Sequence, residues 1–289
     1  MSFSKDLKQE LSKINNLAKK DQVKQELIGY LISSNTAIEN KNKIRYATEN
    51  EYNINRFSKL LSNMNIEFKI EMEGKTFVIK FSLKNDDIIK IENKELIIKE
   101  ENLDEEQKKS IIRGVFLGSG SINNPEKKYH LEIVFSNEYN LDYTYNLLSA
   151  FQIKFKKLNS TKKHAIYLKE GEEISNFLAL MGANSAVLKF EDVRIQREMR
   201  GKVNRLVNCE SANLNKTINA SIEQIDAIKK LQSSKKFNKL DDNLKEIANL
   251  RLENPNMPLS ELGKLLSNPI GKSGVNYRLK KIIELSKEI

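Results

Sequence analysis

Tryptophan is absent from the 289 residues, cysteine occurs once, at Cys209, and histidine twice, at His130 and His164. A single cysteine excludes an internal disulfide and points to a reducing compartment; a lone thiol of this kind is far more often a small hydrophobe than a reactive group. The two histidines fall in separate strand-like segments, so with one cysteine they make no zinc site. No apolar run approaches the roughly 20 residues of a membrane span. The N-terminal MSFSKDLKQELSKI places Phe3, Leu7, Leu11 and Ile14 at helical spacing, which reads as an amphipathic helix rather than a signal peptide. These absences lead to the expectation of a cytoplasmic protein with no membrane partner, no metal and no cofactor.

What is present is charge. Lys and Arg outnumber Asp and Glu by 49 to 39, giving a net charge of +10 and a pI of about 9.3, which favours a polyanionic partner. A chain rich in Lys, Asn and Ile also reflects an AT-rich genome, so the balance alone does not decide. Its distribution adds to the case: after Met199, 17 Lys and Arg face 10 Asp and Glu.

The chain repeats itself. LIGYLISSNTAI from Leu27 and IIRGVFLGSGSI from Ile111 are helix-compatible apolar runs, each with an early glycine, Gly29 or Gly114, and each ending in small polar residues. Downstream, NEYNINRFSKLLSNMNIEFKI from Asn50 matches NEYNLDYTYNLLSAFQIKFKK from Asn137. A duplication with so long a period implies two α/β half-domains, and small residues at helical spacing let the leading helices pack closely as the seam between them. Each half reads as helix, strand, helix, strand, strand, helix. In the first, KIRYATE from Lys43 is a strand, and IEFKIEM and TFVIKFS form a hairpin turning at Glu73 and Gly74. The alternation of Ile66, Phe68 and Ile70 with charged residues predicts a half-buried strand. In the second, HLEIVFS is a strand, IKFKKLN and HAIYLK make the hairpin, and EEISNFLALMG is the closing helix. The GSGS at Gly118 to Ser121 lacks the Lys-Ser/Thr ending of a phosphate loop.

From Val187 the character changes. Arg194, Arg197, Arg200, Lys202 and Arg205, with Met199, Val203 and Leu206, predict a basic amphipathic helix running into an asparagine-rich linker. A new helix is expected at Ser221, capped with Gln224 and burying Ile222, Ile225 and Leu231. Asp242 and Ser260 are read as caps of two more helices, with Gly263 at a close crossing. After the turn SNPIG, a last helix from Lys272 or Ser273 buries Val275, Leu279 and Ile282. That order predicts a helix-turn-helix unit whose last helix enters the major groove. On it, Lys272, Ser273, Asn276 and Tyr277 are the candidates for base readout, Gly274 for close approach, and Arg278, Lys280 and Lys281 for phosphates. Arg197, Arg200, Lys202 and Arg205 are possible contributors.

The duplicated first part resembles the LAGLIDADG homing-endonuclease fold, in which paired motif helices form a central seam and the sheets a saddle over DNA. In that family the motif runs apolar, apolar, small, Gly, two apolar, then Asp, small, Asp, Gly, and its last Asp holds a divalent metal. Aligned on Gly29 and Gly114, that acid falls at Ser34 and Ser119, and the other acid at Ile32 and Leu117. A serine hydroxyl supplies no anionic ligand to a hard cation, so metal-dependent cleavage is disfavoured. Glu26, Glu126 and Asp142 are the alternative acids, but none repeats between the halves.

Over nearly its full length the chain resembles the WhiA family of bacterial DNA-binding regulators. The resemblance is carried by MSFSKDLKQEL, RGVFLGSGSINNPEKKYHLEIVF from Arg113, REMRGKVNRLVNCESANLNKT from Arg197 and LRLENPNMPLSELGKLLSNPIGKSGVNYRLKKI from Leu250. It implies an α+β chain: duplicated LAGLIDADG-like half-domains with antiparallel sheets over residues 1–190 (halves about 20–100 and 104–190), a basic helix and linker over 191–220, and an all-α helix-turn-helix domain over 221–289. It also implies a non-catalytic, sequence-specific transcription regulator bound to double-stranded DNA at the nucleoid, linked to sporulation, cell division or chromosome segregation. A first domain serving a partner regulator protein is the alternative.

Overall fold

In a computed structural model describing residues 2–40, 42–83, 88–93, 95–99, 102–160, 163–234 and 236–288, the chain divides into two compact units, Met1–Glu198 and Met199–Ile289. The first half of the first unit runs α1 (Phe3–Ser12), α2 (Lys20–Leu31), β1 (Thr36–Asn40), β2 (Lys43–Thr48), α3 (Glu51–Asn63), β3 (Phe68–Glu73), β4 (Thr76–Ser82), β5 (Lys90–Glu92) and β6 (Glu95–Ile97). The second half runs α4 (Glu105–Ser119), β7 (Gly120–Ile122), β8 (Leu131–Phe135), α5 (Glu138–Ser149), β9 (Lys156–Ser160), β10 (Lys163–Leu168) and α6 (Gly171–Leu180). The next helix, α7, spans Asn184–Ser233 and is followed by α8 (Asp242–Glu253), α9 (Leu259–Leu262) and α10 (Lys272–Lys287). The fold is α+β, and the duplication is explicit in its sheets: β1-β2-β4-β3 in one half and β7-β8-β10-β9 in the other, all neighbours antiparallel.

Helices α2 and α4 form the seam, and glycine makes it possible. A Cβ on Gly29 would overlap the carbonyl oxygen of Ile111 and stand 2.7 Å from the Val115 nitrogen; one on Gly114 would overlap the Glu26 carbonyl oxygen. The two backbones are therefore in direct contact, and no side chain fits between them. The later turns of both helices are buried all round, and Leu27, Leu31, Ile111, Ile112, Val115 and Phe116 are all in the core.

Beside this seam lies a buried charge cluster. Glu26 is fully buried; Arg56 Nε donates to its Oε1 at 2.7 Å, Arg56 Nη2 to its Oε2 at 2.9 Å, and Asn16 Nδ2 to Oε2 at 2.9 Å. Arg113 Nη1 lies 3.5 Å from Glu26 Oε2 and its Nε donates to the Met181 carbonyl at 3.2 Å. Burial works against the charge on Arg56, but the hydrogen bond and charge of Glu26 outweigh it and raise its pKa; burial lowers that of Arg113. Glu26 is thus a neutralised structural acid, which accounts for its lack of a counterpart in the second half.

The repeated Asn-Glu-Tyr-Asn has a structural use in both copies. Asn50 caps α3 by accepting from the Tyr52 and Asn53 amides, and Asn137 caps α5 by accepting from the Asn140 amide. The second asparagine then reaches across: Asn53 Nδ2 donates to the Leu117 carbonyl at 2.5 Å, and Asn140 Nδ2 to the Leu96 carbonyl at 2.6 Å.

Several expectations are corrected. Among the described residues the first half has no closing helix; the small β5–β6 hairpin follows β4 instead. Short strands β1 and β7 follow the motif helices, and GSGS supplies the end of α4 and the start of β7. Strand β3 is not half-buried: Ile70 is 49 % and Met72 60 % exposed, because β3 is an edge strand paired only with β4. Ile153 and Phe155 are buried but precede β9 rather than belonging to it. Helix α7 continues through the expected linker, since the asparagine-rich stretch contains no proline or glycine to stop it. Ser221 lies within α7 and its hydroxyl donates to the Pro255 carbonyl; the buried stripe there is Ser221, Gln224, Ala227, Ile228 and Leu231, with Ile222 exposed. Asp242 and Ser260 lie inside α8 and α9 rather than at caps, which fall at Asp241 and Pro258.

Candidate nucleic-acid interface

The second unit is a trihelical arrangement on the end of α7. Ile228, Leu231, Leu244, Ile247, Leu262, Leu266, Val275, Leu279 and Ile282 form its core. The i, i+4, i+7 spacing of Val275, Leu279 and Ile282 buries one face of α10 and leaves the rest outward. Lys272, Ser273, Tyr277, Lys280 and Lys281 are exposed, Tyr277 at 69 %, and Gly274, Asn276 and Arg278 are half-buried at the flanks. No side chain caps the start of α10, whose N-cap is Gly271, so its first amides face outward with the positive end of the helix dipole.

The turn ahead of α10 is braced. Glu246 on α8 accepts from both the amide and the hydroxyl of Ser267, each at 2.6 Å. These two bonds, first the hydroxyl and then the amide, with Arg278 nearby, hold its carboxyl below the ordinary range. Gly263 sits where a Cβ would overlap the Ile270 carbonyl, and the Ile270 amide donates to the Gly263 carbonyl at 3.0 Å. The close approach at Gly263 is therefore both to the turn and to α10, where the Cβ would stand 3.0 Å from Val275 Cγ2. Gly274 is likewise turned inward: a Cβ there would meet Ile270 Cδ1 at 3.1 Å, so its small size seats Ile270 rather than opening a path to DNA. Arg251, 2 % exposed, donates from Nη1 to the carbonyl of Met257 at 2.8 Å and of Pro255 at 3.2 Å, closing the end of α8 over the turn that leads to α9. Burial lowers its pKa.

At the seam of the first unit, the two positions where the endonuclease motif has its metal acids come together on one atom. The Ser34 amide donates to the Val134 carbonyl at 3.2 Å and the Ser119 hydroxyl to the same oxygen at 2.5 Å. Asn35 Nδ2 donates to the Gly118 carbonyl at 2.7 Å. The geometry keeps the convergence of the motif ends but fills it with neutral hydrogen bonds. Among the described residues, no cluster of three or more His, Cys, Asp or Glu is placed to hold a metal.

Four cations of the two sheets are neutralised where they stand, while Lys43, Lys69 and Lys156 on the same strands are exposed without an ion pair to the described residues. Arg45 is 2.7 Å from Glu73, Lys80 2.7 Å from Glu71, Lys163 2.8 Å from Glu132, and Lys157 2.6 Å from Asp142. Each exposed pair adds little stability, but each removes a charge that a phosphate would otherwise meet. On α7, Arg194 pairs with Glu191 at 2.9 Å, and Arg197 donates to the Pro125 carbonyl at 2.7 Å while lying 4.4 Å from the Tyr129 ring centroid. Arg197 is therefore engaged within the first unit; Arg200, Lys202 and Arg205 are exposed on the stretch that follows.

A family model described as the WhiA LAGLIDADG-like domain matches residues 108–200, and one described as the WhiA C-terminal HTH domain matches residues 203–286. The "Probable cell division protein WhiA" of Clostridium acetobutylicum is 36% identical over 319 residues, covering 100% of this chain and 98% of that protein. The chain belongs to the WhiA family. The protein of the same name from Staphylococcus aureus is 38% identical over 313 residues, again covering 100% of this chain and 98% of the other. The crystal structure of full-length DUF199/WhiA from Thermatoga maritima aligns over 100% of this chain and 99% of that one, with 26% identity and a TM-score of 0.63. A crystal structure of the N-terminal LAGLIDADG domain of DUF199/WhiA shares the fold of this chain with a TM-score of 0.55, over 63% of this chain and 90% of the other at 24% identity. The glycine seam and neutral motif ends are thus how this WhiA chain realises a LAGLIDADG-like domain. No helix among the described residues is long and apolar enough to cross a membrane.

Sequence reasoning passed over Glu246, Ser267 and Arg251, which fix the turn and α8 against α10. Pattern offers no signal for a carboxylate bonded 21 residues away. A buried Arg251 on the apolar face of α8, at i+3 and i+4 from Ala248 and Ile247, was the one visible oddity.

Proposed function

We propose that this protein is a sequence-specific double-stranded DNA-binding regulator of transcription, without catalytic activity, which acts at the nucleoid in the cytoplasm. The observation that carries this reading is α10: a helix braced by Glu246 and Ile270 that presents Lys272, Ser273, Asn276 and Tyr277 near its N-terminus and Arg278, Lys280 and Lys281 beyond them. Residues of the first kind reach base edges and those of the second neutralise phosphates. The names of the relatives support a place in cell division; chromosome segregation and sporulation are the neighbouring processes this reading includes. Neutral Ser34 and Ser119 support the absence of metal-dependent cleavage. Mapping bound DNA across the genome and measuring affinity for the recovered sites by fluorescence anisotropy tests it. Enriched sites bound better than scrambled duplexes support it; no preference over scrambled duplex overturns it, and magnesium-dependent cutting of any site restores the endonuclease reading.

The neutralised cations of the sheets, with Ile70 and Met72 exposed on an edge strand, favour a protein partner over DNA for the first unit. A partner regulator retained by the full chain and lost with Ile70→Lys and Met72→Lys is the expected result; retention by that variant would refute it.

A further inference from the structure

The two halves of the first unit differ where the duplication should make them alike, on the outer side of the helix that each Asn-Glu-Tyr-Asn begins. On α3 that side is covered by α1 and the loop after it. Lys5 Nζ lies 6.0 Å from the Tyr52 ring centroid, Arg56 Nη1 donates to the Ile14 carbonyl at 2.9 Å, and Asn63 Nδ2 donates to the Leu17 carbonyl at 2.7 Å. Arg56 and Leu60 are buried beneath this cover.

Counted from the capping Asn50 and Asn137, Tyr139, Tyr143, Leu147 and Ala150 hold on α5 the positions of Tyr52, Arg56, Leu60 and Asn63 on α3. They line an open cleft of about 390 Å³ together with Leu103 and Lys108. Tyr139, at 45 %, and Ala150 are exposed, and Tyr143 and Leu147 are half-buried; each of the four is more open than its counterpart on α3. Tyr143 and Ala150 in place of Arg56 and Asn63 also make this seat the more apolar one. It would hold a helix by side-chain burial rather than by hydrogen bonds to carbonyls.

The covered half shows what fits the open one. Helix α1 is amphipathic, with Phe3, Leu7 and Leu11 at four-residue steps and the acids Asp6 and Glu10 among them. In the open cleft, Lys108 makes no ion pair with the described residues, so an acid on the occupant meets an uncompensated cation. The chain's own α1 is committed elsewhere. Its Leu7 and Leu11 are fully buried, and Glu10 accepts from the Ser185 amide at 2.7 Å and the Ala186 amide at 2.9 Å. The occupant therefore comes from another molecule.

We infer that the outer side of α5 is a docking groove for an amphipathic helix of a partner protein, with apolar side chains at i, i+4 and i+8 and an acid that meets Lys108. This seat belongs to the other half of the unit from Ile70 and Met72 and does not rest on the role given to that edge.

The probe is a labelled peptide of residues 2–15, the α1 sequence itself, titrated with the full chain and read by fluorescence anisotropy. Saturable binding is expected, and none for the same peptide with Leu7→Ser and Leu11→Ser. Tyr139→Ser with Ala150→Glu in the full chain should weaken binding by about tenfold or more, with an unchanged thermal melt because both side chains are exposed. No saturable binding overturns the proposal. So does binding undiminished by that pair, which would place the peptide elsewhere, as by exchange with α1 on α3. Sedimentation equilibrium of the full chain alone tests the rival occupant. A two-chain mass abolished by Tyr139→Ser with Ala150→Glu would give the groove to a second copy and overturn the partner protein; a mass indifferent to those substitutions supports it.

Discussion

The two units handle positive charge in opposite ways. In the first, the buried arginines and four sheet cations are turned onto acids: Arg56 and Arg113 onto buried Glu26, Arg45 onto Glu73, Lys80 onto Glu71, Lys163 onto Glu132 and Lys157 onto Asp142. In the second, Lys272, Lys280 and Lys281 stand on the outer side of α10 with no side-chain hydrogen bond or ion pair to the described residues. A neutralised cation fixes architecture, and an uncompensated one is available to a polyanion. Net charge alone does not separate these roles, because both units are rich in Lys and Arg.

The comparison can be broken most strongly at Arg56. Arg56→Ala leaves Glu26 buried with only the more distant Arg113, and is expected to cost about 3–5 kcal/mol in chemical denaturation of the first unit while leaving the DNA preference of still-folded protein intact. A loss below 1 kcal/mol, roughly that of a surface pair, would show the cluster to be solvated. Next come base contacts: Asn276→Ala or Tyr277→Ala should reduce discrimination between target and scrambled duplex by about 1–3 kcal/mol, and equal weakening on both would remove them from base readout. Lys280→Ala with Lys281→Ala should weaken binding to every duplex and lower the salt slope by about one unit per lost contact. The smallest effect is expected at Glu246. Its lowered carboxyl pKa means that the stability it contributes is present above the ordinary carboxylate range and is lost as pH falls through its folded value. Glu246→Gln should flatten the acid limb of the melting profile, and an unchanged limb would show that the Ser267 bonds contribute nothing there.

Much of this organisation is readable from local pattern. The alternation of KIRYAT buries Ile44, Tyr46 and Thr48, and the spacing of Val275, Leu279 and Ile282 fixes the inner face of α10. The same alternation misleads in IEFKIEM, because it says which side chains share a face and not whether another element covers that face; Ile70 and Met72 lie on an edge strand. The asparagine-rich stretch of α7 reads as a linker by propensity, yet low propensity without a breaker does not end a helix. Glycine carries two different messages, at Gly29 a helix seam and at Gly274 a seat for Ile270, and only the neighbours distinguish them. Long-range pairs such as Arg56 with Glu26 and Glu246 with Ser267 leave no periodic trace.

The central claim is that α10, and not the sheet-bearing first unit, meets DNA. It is tested most directly by the salt dependence of duplex affinity in the full chain, comparing Lys280→Ala with Lys281→Ala against Lys80→Ala with Lys163→Ala. A shallower slope for the α10 pair and an unchanged slope for the sheet pair is the predicted result. The reverse would contradict it and return DNA binding to the sheets.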